Sequence, residues 1–221
     1  LCLTHGKPVL CEKAFTMNAK QAQTIREYAE NHGIFAGEAI WPRYMPSREI
    51  IQKVLHSGKV GKIHTLTANL SYDIDHVRRI QEPALAGGAL LDVGIYGLSF
   101  ALTRFGWDID RIGSSVQLTE SGVDGMETIT IFYRDGRMAV LTHGIYGRSD
   151  RKGIFYGETG YIVVENINNP QSVSVYNDRD ELLECYEVPK QVNGYEYEFA
   201  EAVRCIQEGK YQPDAISLEE S

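Results

Sequence analysis

Apolar and polar positions along the chain fall into two regimes. Over residues 1–37, short apolar runs alternate with one amphipathic stretch. Leu1–His5 reads as the end of a helix stopped at Gly6, and Pro8–Glu12 as a short buried strand. Residues from about Asn18 to Asn31 place Ala22, Ile25 and Ala29 on one face of a helix that Gly33 ends, and Ile34–Ala36 is a second apolar strand. Helix end, strand, helix, strand is the rhythm of a parallel α/β sheet.

After Trp41 the rhythm changes. A helix is expected over 47–56, with Ile50, Ile51, Val54 and Leu55 as its apolar set, then a long alternating strand over 63–72 and a helix over 88–105. Strand patterns follow at 115–119, 128–133, 138–143, 161–164, 173–176 and 182–188, separated by turn signals such as Arg134-Asp135-Gly136. A helix over 195–207 is closed by Gly209. Ser217-Leu218-Glu219-Glu220 is a capping box that opens a helix without a body, and the chain starts inside an element, so continuation at both ends is expected. The pattern predicts a parallel piece, residues 1–37, and an α+β domain, residues 38–221. The second part has too few helices to cover both faces of its large, mostly antiparallel sheet, which leaves an open face for dimerisation.

Composition narrows the function classes. Apolar residues at 43% and charged residues at 24% are ordinary for a chain with a packed core. A net charge of −8, from 22 basic and 30 acidic residues, argues against nucleic acid and anionic membrane as partners. No apolar run reaches the ~20 residues of a membrane span, and His5 and Lys7 interrupt any leader-like start. Cys2, Cys11, Cys185 and Cys205 show no paired spacing, which points to reduced thiols and a cytoplasmic location; the six histidines form no ligand pattern, so no metal is expected.

Four segments could carry chemistry. Glu12-Lys13 closes a predicted parallel strand, where α/β ligands bind; position alone favours a surface lysine on a βα loop. In Gly87–Tyr96, Asp92 and Tyr96 share a helical face, so a phenol could move a proton beside a carboxylate. The alternative is a capping aspartate and a half-buried aromatic. Trp41-Pro42-Arg43-Tyr44 offers an aromatic ring and a cation, or a hydrophobic plug. Asp73–Arg79, with His76 and Arg79, could contact substrate or form a solvated loop.

Together these segments resemble the Gfo/Idh/MocA oxidoreductases. His5–Lys13 is similar to that family's Glu-Lys-Pro region, with Ala14 where proline is usual; Trp41–Tyr44 is similar to its aromatic-arginine segment; Gly87–Tyr96 matches its catalytic helix. Tyrosine four residues after the aspartate resembles the branch of the dimeric dihydrodiol dehydrogenases and glucose-fructose oxidoreductase. The resemblance implies that residues 1–37 are the end of a Rossmann dinucleotide-binding domain and that 38–221 bind substrate and dimerise. It implies NAD or NADP as cofactor and a sugar, polyol or dihydrodiol as substrate. Carried over, Lys13, Asp92 and Tyr96 are the catalytic group, and Glu12, Lys13, Trp41 and Arg43 lie toward the nicotinamide; His76 and Arg79 are substrate candidates from their position at the end of a strand. No Gly-x-Gly-x-x-Gly occurs in the chain, so the loop that holds the pyrophosphate is not expected here. A non-catalytic sugar-binding or dimerisation module derived from such an enzyme is the alternative.

Overall fold

The computed structural model describes residues 1–221. The chain forms two compact units, Leu1–Met45 with Lys190–Ser221, and Pro46–Pro189. The sequence boundary at 37/38 keeps the C-terminal stretch with the large sheet, whereas the structure joins it to the first unit. Side-chain burial is the reason. Ala202 and Cys205 pack with Phe35 and Leu10, and Leu218 packs with Phe15, Ala22 and Ala29. A helical period identifies an apolar face but not the surface it will cover.

In the first unit, β1 (Val9–Glu12) and β2 (Ala36–Ala39) are parallel and in register from Val9↔Ala36 to Glu12↔Ala39. Between them runs α1 (Ala19–His32). Asn18 caps it by accepting the Gln21 N–H, and Gly33, at φ 61°, closes it in the left-handed conformation. β2 starts later than expected because Ile34 N–H still bonds to Ala29 O at the helix end. The Ser217–Glu220 box forms: Ser217 N–H donates to Glu220 Oε2 at 3.0 Å and Glu220 N–H to Ser217 Oγ at 3.3 Å.

In the second unit, α2 (Ser47–Leu55) precedes β3 (Ile63–Ser71), and a single short turn of helix, α3, spans Arg78–Gln81. Leu90–Gly94 is a π turn that continues into α4 (Ile95–Phe105). Seven strands follow: β4 (Ile109–Leu118), β5 (Asp124–Tyr133), β6 (Met138–Gly144), β7 (Gly153–Gly157), β8 (Gly160–Val164), β9 (Ser172–Asn177) and β10 (Leu182–Glu187). With β3 they form one eight-stranded sheet in the order β10-β9-β8-β7-β3-β6-β5-β4, in which only β3 and β6 pair in parallel. The inward residues Leu66, Leu70, Ile131, Leu141, Phe155 and Ile162 form one core with Ile51 and Val54 of α2 and Phe100, Ala101 and Phe105 of α4. β7 gives no alternation because glycine ends its five residues, and β4 extends N-terminal of the expected 115 because this edge strand is exposed along its length and has no buried face to mark. The fold class is therefore mixed α/β: a small parallel sheet and a large, mostly antiparallel one. One expectation is corrected. Pro83–Phe105 is long and apolar enough to span a membrane by length and composition; its Ala89, Val93, Phe100, Ala101 and Phe105 are buried against the sheet, which accounts for the apolar run.

The last element, α5 (Glu196–Gln207), belongs to the first unit.

Candidate functional site

Two groups of side chains carry the expected chemistry, one in each unit. In the first, β1 and β2 end side by side at Glu12 and Ala39, the strand ends at which parallel sheets bind ligands. Glu12 is exposed and Lys13 half-buried, and the Lys13–Ala14 peptide bond is cis. Past β2 the chain turns through a 3-10 segment, Trp41–Arg43. Trp41 stacks on Tyr195 with ring centroids 4.8 Å apart, under Gly194, whose φ of 96° lets its backbone lie on the indole. Arg43 is buried and donates from Nε and Nη2 to Ala215 O and from Nη2 to Glu220 Oε1 at 2.8 Å. Burial alone would raise the Glu220 carboxyl; the Arg43 guanidinium and the Ser217 N–H outweigh it and hold it below the usual range.

The same unit buries carboxyls that motif reasoning passed over. Glu38 on β2 is 3% exposed, and burial raises it although it accepts the Phe15 N–H. Glu198 on α5 is 2% exposed, and burial, with the Glu12 charge second, pushes it up to about 7. Its Oε2 has no hydrogen-bond partner, nor has the buried Trp41 Nε1. Unsatisfied buried polar atoms of this kind mark a place where a polar ligand group would be received. A lysine and a carboxylate at the ends of parallel strands, with these atoms in the same unit, are groups that could hold a polar ligand. No glycine-rich phosphate cradle accompanies them.

In the second unit, the segment 87–97 is held from several sides. Gly88, at φ 109°, lies where a side chain would overlap the Asp124 carboxylate, and Asp124 accepts the Leu90 N–H. Asp124 thereby caps the helix from a strand distant in sequence. Asp92 is buried in the π turn and accepts from Arg79 Nη2 at 2.7 Å. The sequence placed Arg79 toward substrate; the structure brings it to Asp92, so its first effect is to orient that carboxylate. Tyr96 is half-buried and packs against the core. His76 is exposed, 4.0 Å from the Asp75 carboxylate.

Beneath this helix lies a second pair that motif reasoning missed. His143 Nδ1 and Glu127 Oε1 are 2.9 Å apart, both buried. A signal was present in the sequence: both residues occupy the inward phase of strands whose other inward positions, Ile129, Ile131, Ala139 and Leu141, are apolar.

Residues 49–163 match the C-terminal domain model of the GFO/IDH/MocA family. The whole chain aligns at 33% identity with scyllo-inositol 2-dehydrogenase (NADP(+)) of Bacillus subtilis, covering 68% of that protein. The chain belongs to the GFO/IDH/MocA family. It is also 30% identical, again over its full length and 68% of the relative, to mouse trans-1,2-dihydrobenzene-1,2-diol dehydrogenase. Among solved structures, a 3-ketoreductase from Actinomadura kijaniata, determined with TDP-benzene and NADP, superimposes with a TM-score of 0.88 at 23% identity, covering 99% of this chain and 68% of that one. An aldose-aldose oxidoreductase from Caulobacter crescentus gives 0.86 at 18% identity, over 99% and 67%. These two likenesses establish the fold. The family and the sequence relatives establish the activity class, an NAD(P)-dependent oxidoreductase, and NADP is the cofactor named for the Bacillus relative.

Proposed function

We propose that this GFO/IDH/MocA chain serves reversible hydride transfer between nicotinamide and a carbinol or carbonyl carbon of a sugar, polyol or dihydrodiol. NAD(P), when bound, supplies or accepts the hydride. In the first unit, Lys13 stabilises anionic oxygen character, and in the second, the Tyr96 phenol gives or takes a proton. Asp92, held by Arg79, orients the group around Tyr96. Glu12 and Trp41 face the nicotinamide end. Arg43, tied to Ala215 and Glu220, holds that end in shape rather than touching the ring. The observation that carries the reading is the π turn over Leu90–Gly94: it buries Asp92 on an Arg79 ion pair immediately before Tyr96, and π turns occur frequently at functional sites.

The test is Tyr96→Phe in the natural enzyme. It should lower kcat by about 10²–10⁴-fold, the usual worth of a positioned proton donor, with little change in NADP(H) affinity. Lys13→Met should also lower kcat. Full activity in both would displace the site, and the absence of nicotinamide turnover with any polyol would favour a binding or dimerisation module.

The sheet face opposite the core carries hydroxyl side chains, among them Thr67, Thr128 and Thr142, with Met126 and Tyr156 exposed. This face supports a homodimer, which sedimentation would detect; a strict monomer would count against it. The acidic charge disfavours nucleic acid and anionic membrane, and four free cysteines suit the cytoplasm.

A further inference from the structure

Glu127 and His143 are direct cross-strand neighbours on β5 and β6, and they are the polar members of an otherwise apolar inward row. Their side chains are 7% and 0% exposed. A buried polar pair is retained at a desolvation cost that aliphatic residues of the same volume would avoid, so its location is informative. The location is specific. A Cβ on Gly94 would overlap Glu127 Oε1, and a Cβ on Gly97 would overlap His143 Nε2. The two glycines flank Tyr96, so the backbone on both sides of the tyrosine rests on this pair. His143 Nε2 is buried there without a hydrogen-bond partner, while Nδ1 is committed to Glu127.

We propose that Glu127 and His143 are positioning residues, a hydrogen-bonded pair that sets the height and rotation of the π turn and thereby the reach of Asp92 and Tyr96. The inference rests on the assignment of Tyr96 as proton donor. The pair ties β5 to β6 at the spot where the helix comes closest to the sheet. A helix separated from its sheet by glycine alone has no side-chain cushion, so the shape of the pair is transmitted directly to the helix backbone. A displacement of about 1 Å at a proton-transfer group is worth up to about a hundredfold in rate.

The experiment is the double substitution Glu127→Leu with His143→Phe in the natural enzyme, beside Glu127→Gln and each combined with Tyr96→Phe. Apolar replacement of both partners leaves no buried polar group unpaired, and both new side chains are larger than those they replace, so Tm is measured first to establish that the double variant folds. The expected result is a kcat lowered about ten- to hundredfold, KM within about twofold, and no further loss once Tyr96 is phenylalanine. Wild-type kcat in the folded double variant would overturn the proposal, as would a loss that multiplies in full on Tyr96→Phe. If the double variant does not fold, Glu127→Gln, of nearly the same volume, carries the same readout: a lowered kcat absent from the Tyr96→Phe background supports the proposal, and an unchanged kcat refutes it. Full activity of Tyr96→Phe alone would sink the assignment of the tyrosine instead. A kcat loss in the double variant would then act through another group, which also contradicts the route proposed here.

Discussion

Glu198 supplies the sharpest test of the electrostatics of the first unit. Its carboxyl is 2% exposed on α5, its Oε2 has no partner, and burial with the Glu12 charge beside it pushes it up to about 7. An acid raised in the folded state binds its proton more tightly there than in the unfolded chain. Folding is therefore favoured while the group is protonated, and stability falls as pH rises from about 4.5 through about 7. The span between those two values, at about 1.4 kcal/mol per pH unit, is about 3 kcal/mol as an upper bound. Glutamine copies the protonated form at nearly the same volume. Glu198→Gln should match the parent near pH 4 and exceed it by about 2–3 kcal/mol at pH 8. Chemical denaturation of both proteins across pH 4–8, followed by circular dichroism, reads the difference directly. A constant difference across the range, or a parent that grows more stable relative to the variant toward pH 8, would show that the carboxylate is paired in the fold and that the burial argument fails.

Two further outcomes follow from the contacts. Asp124→Ala removes the acceptor at the Leu90 N–H and should cost about 1 kcal/mol of stability, with a larger effect on kcat than on KM because the loosened helix carries Tyr96; unchanged stability would mean that water replaces the cap. Arg43→Met removes the donor to Ala215 O and the partner of Glu220, and should cost about 2–3 kcal/mol at pH 7. Because Glu220 is held below the usual carboxylate range, its share of that contribution is present above about pH 4.5 and is lost as pH falls through the lowered value, so the gap between the two denaturation curves should narrow in acid to the part owed to Ala215 O.

Most of the elements, and the identity of the chemical groups, were legible along the chain. Asn18 and Gly33 mark both ends of α1 because capping and the left-handed turn are local events, and their residues sit within hydrogen-bond reach along the chain. The period-2 phase of β3, β5 and β6 identified a one-sided sheet, since burial on one face writes itself into alternation. The Asp92–Tyr96 spacing and the Glu12-Lys13 strand end pointed to the oxidoreductase reading because those motifs are contiguous. Tertiary structure alone decided what touches these groups. Asp124 caps a helix that begins 34 positions before it, and the exposed Arg79 reaches Asp92. Arg43 finds Ala215 and Glu220, 172 and 177 positions away, and α5 packs beside β1 rather than on the sheet it follows in sequence. Such partners are chosen by which surfaces remain to be buried once the local elements exist, and periodicity reports that a face is apolar without naming its cover. Glu127 and His143 show the boundary between the two: their inward phase was legible, but that they meet beneath the glycines flanking Tyr96 depended on the register of β5 with β6 and on the close approach of the helix to both.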